Sequence, residues 1–306
     1  MFNYTNLHDV FPADSPNPYD RKLQHEIDNC RKSFDGVLFI DRVLRAVGIT
    51  KAKVYPPKTD NALKQLHQQI CEASMSMHYK YSLFYYVLLD FDEAAGRQGV
   101  SETFVEASGM PKKYQIFMKG LWHMDKQDFE HALEYIAHPS LIPDFADDII
   151  TILVRRARGN DYTLALSYFQ TVQPILKTSA ALELLFDAMA RTSVSEALFY
   201  SRTHPAHTRQ LLFRQLVASI LEGRSSGELS TRASELAFSP LDSAEDQWFE
   251  EYLTVGNGKA HKRAKDTLLI RKIACDRVSE VANQRHGGQW SGVLEGIKGG
   301  IGGQTE

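Results

Sequence analysis

Cysteine is scarce in this 306-residue chain: Cys30, Cys71 and Cys275 are odd in number, far apart and without a CxxC pair. That excludes a disulfide framework and a zinc ribbon, and it fits free thiols in a reducing compartment. Long apolar runs are also missing. The longest uncharged greasy stretch, Tyr81 to Leu89, has nine residues, against the roughly 20 that a membrane helix needs, so no membrane span is expected. Met1 to Val10 lacks the basic region and apolar run of a signal peptide. Charge of one sign is lacking as well: 35 Lys and Arg face 38 Asp and Glu, for a net charge of -3 and a pI near 6.4. Nothing in that balance draws the whole chain to nucleic acid or to an acidic membrane. Finally, no GxSxG, HExxH or GxGxxG stands in a context that supports catalysis. The Gly-Gly-Ile-Gly-Gly run at 299–303 follows Lys298, the reverse of the order a phosphate-cradling Walker loop requires.

What is present is a repeat. Ala132-Leu133-Glu134-Tyr135, Ala165-Leu166-Ser167-Tyr168 and Ala197-Leu198-Phe199-Tyr200 place Ala-Leu-x-Tyr at intervals of 33 and then 32 residues, each copy followed by a proline, at 139, 174 and 205. A unit of two helices and their turns takes roughly 30–40 residues and buries its apolar face only when a neighbour stacks on it. Small Ala lets helix axes approach, Leu and Tyr fill the gap, and Pro ends the helix. The fold class predicted is all-α, an α-solenoid of stacked helical pairs.

Residues 1–18, with Pro12, Pro16 and Pro18, read as an extended arm without a core of its own. Residues 19–253 carry the helical patterning. Within them, the apolar and aromatic residues around Tyr81–Leu89 mark a central helix, and Asp90, Asp92 and Glu93 mark its exit from the core. Pro111 and Pro143 are placed to open helices, Asp125 and Ser243 to cap them, and Ser193 with Glu196 has capping-box spacing. Trp122, Phe129, Leu133, Tyr135, Leu166 and Tyr168 are assigned to the core. Residues 254–286 read as a basic amphipathic helix, with eight Lys or Arg against three acidic residues between 259 and 285. In 287–306, eight of the 19 glycines leave little side-chain area to offset ordering entropy, so a disordered tail is expected.

Candidate chemistry is sparse. His204 and His207 flank Pro205, which breaks the helix that would give them ligand geometry, and a metal site needs three or four ligands. His67 and Cys71 share a helix face as a half-buried pair. Asp144, Asp147 and Asp148 suit a helix start. No catalytic residue, cofactor site or metal site is therefore assigned, and no enzyme is expected. Lys262, Arg263 and Lys265 offer a nuclear import signal or a phosphate contact, the alternative being a solvated helix face. Any nucleic-acid or chromatin contact would run through this basic C-terminal helix alone. Trp290, Leu294 and Ile297 in the tail are candidates for partner docking.

The run Gly120-Leu121-Trp122-His123-Met124-Asp125, followed by Phe129, the first two Ala-Leu-x-Tyr copies and Pro139-Ser140-Leu141-Ile142-Pro143, resembles the ELYS-like domain family over about residues 19–253. The resemblance implies a scaffold nucleoporin that binds the Y-shaped outer-ring complex of the nuclear pore, supporting pore assembly and the transport of mRNA and protein. It implies a location in the nucleus, at the pore complex of the nuclear envelope, and no catalytic residues. The animal members also carry a β-propeller and AT-hooks. No Arg-Gly-Arg-Pro occurs here, and the length resembles the short fungal members. A soluble adaptor of the tetratricopeptide kind, binding peptides or chaperone tails, is the alternative, although the Trp-x-x-Leu-Gly-x-x-Tyr half of that repeat is absent.

Overall fold

The computed structural model describes residues 2–13, 15–50, 54–96, 99–221, 226–277 and 296. Among them there is no strand, and the fold is all-α, with helices packed in successive pairs in the manner of an α-solenoid. The chain forms two compact units, Met1–Ala181 and Leu182–Glu306. In chain order the helices are α1 (Leu7–Val10), α2 (Arg21–Ser33), α3 (Phe39–Ala46), α4 (Asp60–Glu72), α5 (Met77–Ala95), α6 (Val100–Ser108), α7 (Lys112–Asp125), α8 (Phe129–Ile136), α9 (Ala146–Arg155), α10 (Thr163–Val172), α11 (Ser179–Thr192), α12 (Val194–Arg202), α13 (Ala206–Leu221), α14 (Ser226–Phe238), α15 (Ser243–Thr254) and α16 (Ala264–Ala274).

The first unit is built on α5, in which every residue from Lys80 to Asp92 is buried. A helix apolar almost all round has no solvent face, and α4, α6 and α7 surround this one. Residues 2–11 supply side chains to the same core: Val10 and Phe11 are buried, Phe11 rings against Phe84 and Phe91, and Phe2 and Tyr4 lie edge-on to Tyr81. An arm without a core of its own thus lies over α4 and α5. On α4, His67 hydrogen-bonds the Tyr4 carbonyl at 2.9 Å, with the Cys71 sulfur 3.7 Å from its ring nitrogen.

The repeat alanines, Ala132, Ala165 and Ala197, are all fully buried, as close helix approach demands. They lie on α8, α10 and α12; α8 packs on α7 and on α10, and α10 on α9. The other positions of the motif are graded. Leu166, Tyr168 and Leu198 are buried, but Trp122, Phe129, Leu133 and Tyr135, expected in the core, are only half-buried. Two of them carry cations on their outer faces: Lys126 sits 4.3 Å over the Trp122 ring and Lys119 5.1 Å over Tyr135.

The second unit holds the third repeat copy. Phe186 of α11 meets Tyr200 of α12, α12 packs on α13, and α14, α15 and α16 close the far side. Its polar centre is Glu245, fully buried, which receives Arg202 in a two-pronged ion pair (2.9 and 2.7 Å) and Arg209 as well. Burial would raise the Glu245 carboxyl, yet the hydrogen bonds from Arg202 and Arg209 hold it below its ordinary range. The same Glu245 closes a capping box with Asp242, the actual N-cap of α15, one residue before the expected Ser243. Ser193 caps α12 by accepting from Glu196 N, as its spacing predicts. Pro143, by contrast, lies in the loop before α9, which opens instead at Ala146 after Phe145 in left-handed backbone.

Candidate functional site

Four carboxylates are buried among the described residues, and the sequence pointed to none of them as interior. Asp90, expected at the exit of α5 from the core, is completely enclosed. Its oxygens accept the Tyr19 hydroxyl (2.6 Å), the Tyr55 hydroxyl (2.7 Å) and the Trp122 indole N–H (2.9 Å). A buried carboxylate survives only when its lone pairs are satisfied, and three aromatic donors from three segments do so here. Asp92, also buried, accepts Gly99 N, Val100 N and the Ser101 hydroxyl, and so caps α6 from the end of α5. A third is the Glu245 already described.

Asp125, the fourth, corrects the expectation that it caps the helix following it. It is the last residue of α7, and its carboxylate receives Phe39 N at 2.6 Å, Ile40 N at 2.9 Å and the Tyr86 hydroxyl at 2.7 Å. The two amides are orphan donors at the start of α3, where positive dipole ends favour an anion. Asp128, not Asp125, occupies the N-cap position of α8. In the same way Asp147 on α9 accepts Lys177 N and Thr178 N, pinning the loop that follows α10.

Burial pushes the Asp125 carboxyl up from 3.8 to about 7, against the lowering pull of Ile40 N, Phe39 N and Tyr86. A folded-state pKa above the unfolded one means that the folded protein holds a proton the unfolded chain releases. The resulting stabilisation is complete below the ordinary carboxylate pKa and is lost as pH rises through about 7. The difference in urea midpoint between the native chain and Asp125→Asn should therefore change between about pH 4 and 7 and level off above that. The native chain loses ground with rising pH by up to about 1.4 kcal/mol per pH unit. Parallel curves would show that Asp125 does not titrate in this window.

No group of three His, Cys, Asp or Glu able to hold a metal ion occurs among the described residues, and each buried carboxylate is engaged by donors of the chain itself. The proline-bearing loops of the repeat, in contrast, present apolar side chains outward. Ile142 is 77% and Ile175 86% exposed, and each stands ten residues after its repeat alanine. The Ile175 loop is the one Asp147 pins. Sequence reading missed this pair, although the shared offset from Ala132 and Ala165 was there to be seen.

Of the predicted candidates, Lys262 and Lys265 are exposed and Arg263 is half-buried at the N-cap of α16. Other charges of the basic stretch are engaged within the unit: Arg271 is buried, bonded to Asp246 at 2.9 Å and to the carbonyls of Ala237 and Ser239, and Lys272 pairs with Glu250 at 3.0 Å. Trp290, Leu294 and Ile297 lie outside the described residues, as does most of 287–306.

Among the described residues the fold is all-helical, the buried carboxylates cap and brace the chain's own helices, and two of the repeat loops expose apolar side chains. The chain belongs to the ELYS family of nuclear pore complex assembly, whose match covers residues 37–256. It is similar to the protein ely5 of Schizosaccharomyces pombe, itself described as uncharacterized, with 28% identity over 242 residues, 75% of this chain and 76% of that one. The family is a structural assembly family, not an enzyme family, and it places the chain at the nuclear pore complex of the nuclear envelope. No helix among the described residues is long and apolar enough to cross a membrane.

Proposed function

We propose that this chain is a structural scaffold nucleoporin that binds the Y-shaped outer-ring complex of the nuclear pore and thereby supports pore assembly and the transport of mRNA and protein. The observation that carries this reading, beyond family membership, is the pair Ile142 and Ile175. Both are apolar, both occupy the same repeat position, and both lie outside the core that the repeat builds. Large exposed apolar side chains on ordered loops mark contact surfaces. Trp290, Leu294 and Ile297 are proposed as a further docking segment, and Lys262, Arg263 and Lys265 as an import or phosphate contact.

Proximity crosslinking of the tagged chain in its own cells tests the reading. The native chain should recover outer-ring nucleoporins, and the double variant Ile142→Asp, Ile175→Asp should recover them at least about tenfold less while keeping its helical circular dichroism and melting temperature. Recovery of chaperones or short peptides in their place would favour an adaptor, and undiminished recovery by the variant would remove these loops from the interface.

A further inference from the structure

The first unit contains a cleft of about 410 Å³ in which α2, α5 and the α7–α8 turn converge. Its volume lies in the range of binding pockets. Its lining has two chemistries. The floor is apolar, formed by Leu23 and Ile27 on α2 and by Leu38 just before α3, of which Ile27 and Leu38 are buried. The rim is acidic, and its carboxylates come from three separate elements: Glu26 on α2, Glu93 near the end of α5 and Asp128 before α8. Asp125 lies deeper in the same lining.

Lys126 is the one cation among the lining residues, and its ammonium is bound to Glu93 above the Trp122 ring. His123 and His131 both meet Asp128, at 2.9 and 2.8 Å. Glu26 pairs with Lys22 at 3.9 Å, with both side chains well exposed, a pair that solvent screens almost entirely. Against that one cation the rim sets Glu26, Glu93 and Asp128, a formal excess of negative charge at the cleft in a chain that as a whole is close to neutral. An apolar floor with a negative rim complements an apolar side chain flanked by cations, because burial supplies affinity and opposite charge supplies orientation and encounter rate.

We infer that this cleft docks a segment of a partner protein in which an apolar side chain is flanked by Lys or Arg. The inference is independent of the outer-ring reading, since the cleft shares no residue with the Ile142 and Ile175 loops. Cys30 lines the cleft half-exposed and serves as a built-in reporter.

The test uses the full chain carrying Cys71→Ser and Cys275→Ser, and two short fluorescein-labelled peptides, one alternating Lys and Leu and the other Glu and Leu. The Lys peptide should bind by anisotropy and slow alkylation of Cys30 severalfold, and the Glu peptide should do neither. Raising salt from about 0.05 to 0.5 M should weaken binding about tenfold or more, since exposed charge pairs are screened. Glu26→Lys should weaken it at least about fivefold, with unchanged circular dichroism, and Glu26→Gln by less. Equal binding of both peptides, binding without protection of Cys30, no binding at low salt, or full binding by Glu26→Lys would each overturn the proposal. So would Cys30 alkylation that quickens on dilution without peptide, because the occupant would then be a second copy of this chain.

Discussion

Replacing Asp125 with Ala is expected to cost about 3–9 kcal/mol, since three buried donors lose their acceptor at once and each unsatisfied group costs about 1–3 kcal/mol. The donors are Phe39 N, Ile40 N and the Tyr86 hydroxyl, all in a region where Phe39, Ile40 and Tyr86 are at most 2% exposed. A domain of this kind has only about 5–15 kcal/mol of stability in total, so the variant should melt far below the native chain or fail to accumulate. Urea unfolding at about pH 5, before ionisation of the folded Asp125 carboxyl has removed most of its stabilisation, measures the loss. A difference under about 1 kcal/mol would mean that the two amides find another partner, and the proposed cap would be wrong. Asp125→Glu should not rescue, because the longer side chain displaces the carboxylate from both amides.

Gly120→Val should destabilise the chain by roughly 2–4 kcal/mol, the overpacking cost of forcing bulk into a filled contact. Gly120 faces α8, and a Cβ there would run into the Ile136 γ-methyl and stand 3.1 Å from both the Ile136 backbone nitrogen and the Tyr135 Cβ. An exposed mid-helix Gly usually gains about 1 kcal/mol on replacement by Ala. At this position the gain is opposed by backbone that cannot yield, so even Gly120→Ala should lower the melting temperature. Thermal melts of the Ala and Val variants should give the order native, Ala, Val. An Ala variant more stable than the native chain would show that α8 can move away from α7 at little cost.

These two residues also give the Gly-Leu-Trp-x-x-Asp run a structural reading. Gly120 sets the α7–α8 approach, Leu121 is fully buried, Trp122 donates to Asp90, and Asp125 caps α3. The run itself was legible in the sequence, but its roles were not. Helix period, proline punctuation and the Ala-Leu-x-Tyr spacing are local signals, and they located α5, the repeat helices and the Ser193 cap. Asp90 and Asp125 act on donors 32 to 86 residues away, and no local pattern encodes a partner at that distance. An aspartate after a greasy run reads as the run's end, because burying a carboxylate is normally costly; here Tyr19, Tyr55 and Trp122 offset that cost. The half-burial of Tyr135 and Trp122 was missed for the opposite reason. Lys126, four residues after Trp122, and Lys119, on the helix before Tyr135, cover their outer faces, and an aromatic in a helical pattern looks the same whether one of its faces is packed or both.

The long reach of Asp125 also has a bearing on synthesis. A ribosome adds roughly 5–20 residues each second, and Asp125 follows Ile40 by 85 residues. The first turn of α3 therefore leaves the ribosome about 4–17 s before the carboxylate that completes it. During that interval Phe39 and Ile40 are two large apolar side chains beside open amides on a nascent chain. A chain halted before Asp125 would keep them so, a natural target for chaperones.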